Sequence, residues 1–147
     1  MSEQIDFPAL YERFQKLAPG PKAELRRVVR PSDLEEYPTV YRLFPGRPLN
    51  EALLRVAYCL PWVEHREDAP RLGAQLADAK VSEQRLFQVM RSTYPNDLIQ
   101  FRRLLQQVEP VANWRHLGPM LMRWSRGDKR RLIEEYYVRS SADGNAA

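Results

Sequence analysis

The segment Asn96–Val108 reads NDLIQFRRLLQQV, with apolar residues at Leu98, Ile99, Phe101, Leu104, Leu105 and Val108. Steps of three and four gather these side chains on one stripe of an α-helix, whereas a half-buried strand would need strict alternation. Asn96 opens the helix, and Pro110, which has no N–H to donate, closes it. Alternating patterns are almost absent from the rest of the chain, so the expectation is an all-α protein.

The helical period continues on both sides. Upstream, Ser82 has the position of an N-cap, with Val81 placed to staple onto Leu86. That helix carries Leu86, Phe87, Val89 and Met90 and ends by Tyr94-Pro95. A helix before it carries Leu72, Ala74, Leu76 and Ala77. Downstream, Trp114–Trp124 predicts a helix that Gly118-Pro119 must bend or split. Gly127 ends that segment. Asp128 is expected to cap the last helix, with Leu132, Ile133, Tyr136 and Tyr137 on it.

The N-terminal half follows the same logic. A helix beginning near Pro8 carries Leu10, Tyr11, Phe14 and Leu17, and Pro19-Gly20-Pro21 stops it. A second runs from about Lys22 to Val29 and ends at Pro31. Ser32 and Glu35 have capping-box spacing for a short turn. Pro38 opens a helix with Val40, Tyr41 and Phe44. Asn50 caps the most apolar helix, about Glu51–Leu60. Residues 61–70 are polar and charged and read as the main loop. The expected architecture is a compact bundle of eight or nine short helices. It forms a single helical unit over 1–138, with lobes of roughly 1–68 and 69–138, and a flexible tail over 139–147.

A chain of 147 residues is long enough to bury a sizeable core. Its one cysteine, Cys59, lies in an apolar run and reads as a buried, inert thiol; no internal disulfide can form. The N-terminus is acidic and lacks an apolar core, so it does not read as a signal peptide, and no apolar run reaches membrane-spanning length. A soluble, reducing, cytoplasmic setting is the expectation.

The usual catalytic patterns are missing. His65 and His116 are far apart and neither has a partner at metal-ligand spacing, so both read as surface or partly buried residues. Glu64-His65 lacks the second histidine of a zinc-protease motif. The six glycines are scattered and form no phosphate loop. Glu35-Glu36 and Glu134-Glu135 are helix neighbours that do not face each other. The expectation is a protein without catalytic residues, metal or cofactor.

Charge is unevenly spread. Residues 82–131 hold ten basic residues against four acids, while the rest of the chain holds thirteen against fifteen. Nine of those ten are arginines, which grip phosphate with two parallel hydrogen bonds. A single arginine reads as an ordinary surface group, but the local acids are too few to pair the whole set. Arg126, Lys129, Arg130 and Arg131 crowd a helix start, where cations oppose the dipole and a bound phosphate would relieve the mismatch. Arg26, Arg27 and Arg30 make a smaller cluster. Trp114, Trp124, Tyr136 and Tyr137 could stack on bases, but at helical spacing they read as core. Such a basic helical body points to a polyanion, first of all nucleic acid.

Ordered matches run along most of the chain: Ala9-Leu10-Tyr11, Leu25-Arg26-Arg27-Val28, Tyr41-Arg42-Leu43, Ala52-Leu53-Leu54-Arg55 and Leu72-Gly73-Ala74-Gln75-Leu76. They continue through Arg85-Leu86-Phe87-Gln88, Gln100-Phe101-Arg102-Arg103-Leu104-Leu105, Val108-Glu109-Pro110-Val111 and Leu132-Ile133-Glu134-Glu135. In these residues the sequence resembles the CasB family, the small subunit of the type I-E CRISPR surveillance complex Cascade.

The resemblance implies an all-helical, non-catalytic subunit, present in two copies beside the other Cascade subunits. It would help hold the target strand on the guide RNA and retain the displaced non-target strand. Guide pairing would supply sequence recognition, which fits the absence of a base-reading motif. Carried over by residue, the match assigns phosphate contacts to Arg26, Arg27, Arg85 and Arg103. It extends them to Arg102, Arg126, Lys129, Arg130, Arg131 and Arg47.

Two other readings stand beside this one. In the first, the chain is a helical scaffold whose arginines meet acidic partner proteins. In the second, it is a small enzyme with a cryptic site. Salt-dependent binding to single-stranded DNA separates the nucleic-acid reading from the scaffold.

Overall fold

A computed structural model describes residues 4–142. The first three residues of the acidic N-terminus, and residues 143–147 of the expected tail, lie outside the described residues. The elements run as follows: α1 Phe7–Gln15, α2 Pro19–Arg27, a 3-10 turn Pro31–Glu36, α3 Pro38–Leu43, α4 Glu51–Cys59 and a second 3-10 turn Leu60–Trp62. There follow β1 Glu64–His65, α5 Leu72–Asp78, α6 Glu83–Arg91, α7 Asn96–Val108, β2 Val111–Ala112, α8 Trp114–Arg123 and α9 Arg126–Ala142. The all-α expectation is met, with nine α-helices among the described residues.

Helix α7 buries Leu98, Phe101, Leu104 and Leu105, the stripe its spacing defines. Its end is turned by Glu109, which adopts a left-handed backbone at φ 50° and donates its N–H to the Leu105 carbonyl. Helix α4 lies at the centre. Asn50 caps it by accepting the Leu53 N–H at 2.9 Å, and six of its nine residues are buried. Its neighbours are α7, α8 and the first 3-10 turn. Ser82 caps α6 by accepting the Arg85 N–H. Val81 and Leu86 are both buried.

Several boundaries differ from expectation. Pro19-Gly20-Pro21 separates α1 from α2 but also forms the first turn of α2. First-turn N–H groups have no intrahelical acceptor, so two prolines there cost no hydrogen bond. The Pro31–Glu36 turn is closed by Asp33 rather than Ser32: the Asp33 carboxylate accepts the N–H of Arg30 at 2.9 Å and of Val29 at 3.3 Å. Helix α8 is one helix despite Pro119. Gly118 explains why α1 can lie so close to it, since a Cβ there would fall 2.2 Å from the Phe7 ring.

Helix α9 starts before Asp128. Ser125 and Asp128 form a reciprocal cap, with the Ser125 hydroxyl oxygen accepting the Asp128 N–H and the Asp128 carboxylate accepting the Ser125 N–H. Residues 139–142, read from sequence as the start of the tail, continue α9.

The segment read as the main loop contains a strand. β1 pairs in parallel with β2, Glu64 opposite Val111 and His65 opposite Ala112. Gln75 of α5 fastens β2 from the side: its amide donates to the Val111 carbonyl at 2.7 Å and accepts the Val111 N–H at 3.1 Å. Helices α5 and α9 touch backbone to backbone. A Cβ on Gly73 would lie 2.2 Å from the Leu132 carbonyl oxygen. The buried apolar residues form one cluster with members from both sides of residue 68.

Candidate nucleic-acid interface

Two of the ten expected phosphate-binding residues are inside the protein. Arg102 is 4% exposed. Its guanidinium donates to the carbonyls of Val28 at 2.6 Å and Arg26 at 2.8 Å, and lies 4.1 Å from the Tyr58 ring centre. Helix α2 ends at Arg27 with carbonyls that lack intrahelical donors, and Arg102 satisfies them. Tyr58 shares the work, donating its hydroxyl to the Val29 carbonyl. Burial pushes the Tyr58 phenol above its ordinary pKa. Arg102 is therefore a bolt between α7 and α2, and not a phosphate ligand.

Lys129 is also buried. Its ammonium donates to the Asp97 carboxylate at 2.9 Å and the Ser92 carbonyl at 3.2 Å, joining α9 to the α6–α7 junction. Asp97 is itself buried, so the pair sits out of reach of solvent anions. The sequence held a signal for both. Arg102 is four residues after Leu98 and three before Leu105, on the apolar stripe itself; Lys129 is three before Leu132 and seven before Tyr136.

The remaining arginines lie at the surface. Arg26 and Arg27 are exposed in the last turn of α2, where cations suit the helix dipole. The Arg102 bolt sets that turn against α7. Arg103, next in sequence, is exposed on α7. One helical turn on, Gln107 accepts a hydrogen bond from the half-buried Arg85 of α6. The fold thus connects the end of α2, the outer face of α7 and the start of α6, and the four arginines ride on these elements.

Arg126, Arg130 and Arg131 are exposed around the start of α9. The charge mismatch expected there is already met from within. Asp128 is buried, yet the Arg123 guanidinium at 2.9 Å and the Ser125 N–H and hydroxyl outweigh the cost of burial and hold its carboxyl below the usual pKa. Arg47 stands apart from both groups, lining a cleft of about 660 Å³ with Arg115, Asp6 and Met122.

The aromatic residues belong to the core. Trp114 is fully buried with its indole N–H on the Val63 carbonyl, Trp124 and Tyr136 are buried, and Tyr137 donates to Glu83. His65 is half-buried: its Nδ1 accepts the Trp114 N–H at 3.1 Å, and its Nε2 lies 2.7 Å from Glu67. That hydrogen bond, with Arg115 behind it, holds the Glu67 carboxyl below its ordinary pKa. His116 is exposed on α8. Among the described residues no group of three or more His, Cys, Asp or Glu could hold a metal ion, and no helix is long and apolar enough to cross a membrane.

No protein-family profile matches the chain. It is 32% identical over 154 residues to the CRISPR system Cascade subunit CasB of Escherichia coli K12, with 94% of this chain and 96% of that protein covered. Its fold matches a chain in the crystal structure of E. coli Cascade bound to a PAM-containing double-stranded DNA target. The TM-score is 0.87 and the identity 33%, over 95% of this chain and 99% of that one.

Proposed function

Because this chain belongs to the CasB family, we propose that it is the small subunit of a type I-E Cascade complex and stabilises opened target DNA through its surface arginines. The observation that supports this most is the placement of Arg26, Arg27 and Arg103 on α2 and α7, which the buried Arg102 joins, and of Arg85 on α6, which its hydrogen bond to Gln107 ties to α7. That frame fixes the backbone positions from which these guanidinium groups can reach a phosphate backbone. Arg126, Arg130 and Arg131 form a second group, and Arg47 a third position.

In this reading the partners are the other Cascade subunits, a second copy of the chain, the guide RNA–target DNA hybrid and the displaced non-target strand. The protein works in the cytoplasm, without cofactor, and cuts nothing. Its contribution is electrostatic: neutralise phosphates, release counterions and hold strands apart while guide pairing reads the sequence.

The test is a salt series. Each arginine taken off a phosphate should flatten the slope of log K against log salt by about 0.7 for a single strand. The variant with Arg26, Arg27, Arg85 and Arg103 all changed to Ala should melt like the wild type, bind DNA more weakly and show a shallower slope. Wild-type affinity and slope in the folded variant would transfer the lead to the scaffold reading. That reading draws on exposed apolar groups, Val29 at 67%, Tyr41 at 51% and Val138 at 71% exposure, which suit protein contacts.

A further inference from the structure

A cleft of about 430 Å³ opens between α5, β2, α8 and α9. Its floor is apolar, built from Leu117, Met120 and Leu132. Its rim carries Arg71, Arg123 and Arg131 with the imidazole of His116. Arg71 lies 3.5 Å from Glu135 and Arg123 2.9 Å from Asp128, but their side chains remain 77% and 55% exposed. Arg131 is exposed. Among the described residues Glu135 is the one carboxylate on the wall, 13% exposed and accepting the Gly73 N–H at 3.0 Å.

We propose that this cleft holds one nucleotide of a single strand, its base against the apolar floor and its phosphate on Arg131 with Arg71 and Arg123. The inference rests on the nucleic-acid reading above and adds a base-holding pocket to it. A bare phosphate would leave the floor unused, and an uncharged apolar group would leave Arg131 and the exposed sides of Arg71 and Arg123 without an anion. A nucleotide uses both, and its flat base suits the imidazole and guanidinium planes of the rim. The volume lies within the range of small-ligand sites and is too small for a duplex. Glu135 lies one turn along α9 from Arg131 and 3.5 Å from Arg71, so it sets Arg71 on the wall while the exposed side of that guanidinium stays open to the phosphate.

The experiment titrates the full chain with deoxyadenosine monophosphate, deoxyribose 5-phosphate and inorganic phosphate, following the His116 ring and Met120 methyl signals by NMR. The nucleotide should move both signals and bind about tenfold or more tightly than either base-free probe. Arg131→Ala combined with Arg71→Ala should weaken it about tenfold, while Arg42→Ala on α3 leaves it unchanged. Equal affinity for inorganic phosphate would reduce the cleft to a plain anion site and overturn the proposal, as would an absence of shifts at millimolar nucleotide. An aspartate-rich peptide carrying a leucine, binding at the same signals more tightly than the nucleotide, would assign the cleft to a protein partner instead. The salt series on Arg26, Arg27, Arg85 and Arg103 reads a different surface, so either result can fail while the other stands.

Discussion

Arg102 and Arg103 differ by one step of about 100° around α7, and that rotation sends one side chain between helices and the other into solvent. Removing each should have unlike effects. Arg102→Ala strands the buried carbonyl of Val28 and removes the donor from the part-buried carbonyl of Arg26, at about 1–3 kcal/mol for a buried unsatisfied group. We expect a loss of about 3 kcal/mol or more in urea unfolding for Arg102→Ala, against about 0.5 kcal/mol or less for Arg103→Ala.

Asp128 gives a pH signature. Its folded carboxyl sits below the ordinary aspartate value, so its stabilising effect is complete above that value and fades as pH falls through the folded one. Asp128→Asn should therefore cost stability at neutral pH, and the gap from wild type should close below about pH 4 in a urea-midpoint series. The charges of these residues were plain in the sequence. Which of them turn inward was only half legible, because a doubled arginine next to Phe101 reads as surface until the stripe through 98, 102 and 105 is drawn.

At the scale of elements, the closest approach is α5 against α9. Gly73→Ala would drive a methyl into the Leu132 carbonyl and the Glu135 side chain, and backbone atoms on both helices leave little room to yield. We expect about 3 kcal/mol of destabilisation, read as a drop in melting temperature with the far-ultraviolet spectrum still helical below it. Helices with a side-chain cap, such as α4 behind Asn50 and α6 behind Ser82, could be read directly from sequence. The β1–β2 ladder could not, since two-residue strands carry no period and their partner lies 47 residues away. The start of α2 was misplaced because Pro19-Gly20-Pro21 is as good a stop as a first turn, and only packing decides.

At the scale of the molecule, the buried cluster is continuous and Cys59 lies within it, at 0% exposure. Burial pushes its thiol up to about 12. An aromatic disulfide reagent at pH 8 should therefore find no reactive thiol in the native protein, and one per chain in urea. Labelling in native buffer should proceed only at the rate of global opening, and fast native labelling would show that the core is looser than described. The buried cations also change how a genetic screen of this protein should be scored. Loss-of-function alleles at 102 and 129 would arise beside those at the surface arginines and look identical on a plate. They would be a different class: temperature-sensitive, indifferent to ionic strength and, at 129, suppressible by an apolar second-site change at Asp97. Surface alleles would be rescued by low salt and by no change in the interior.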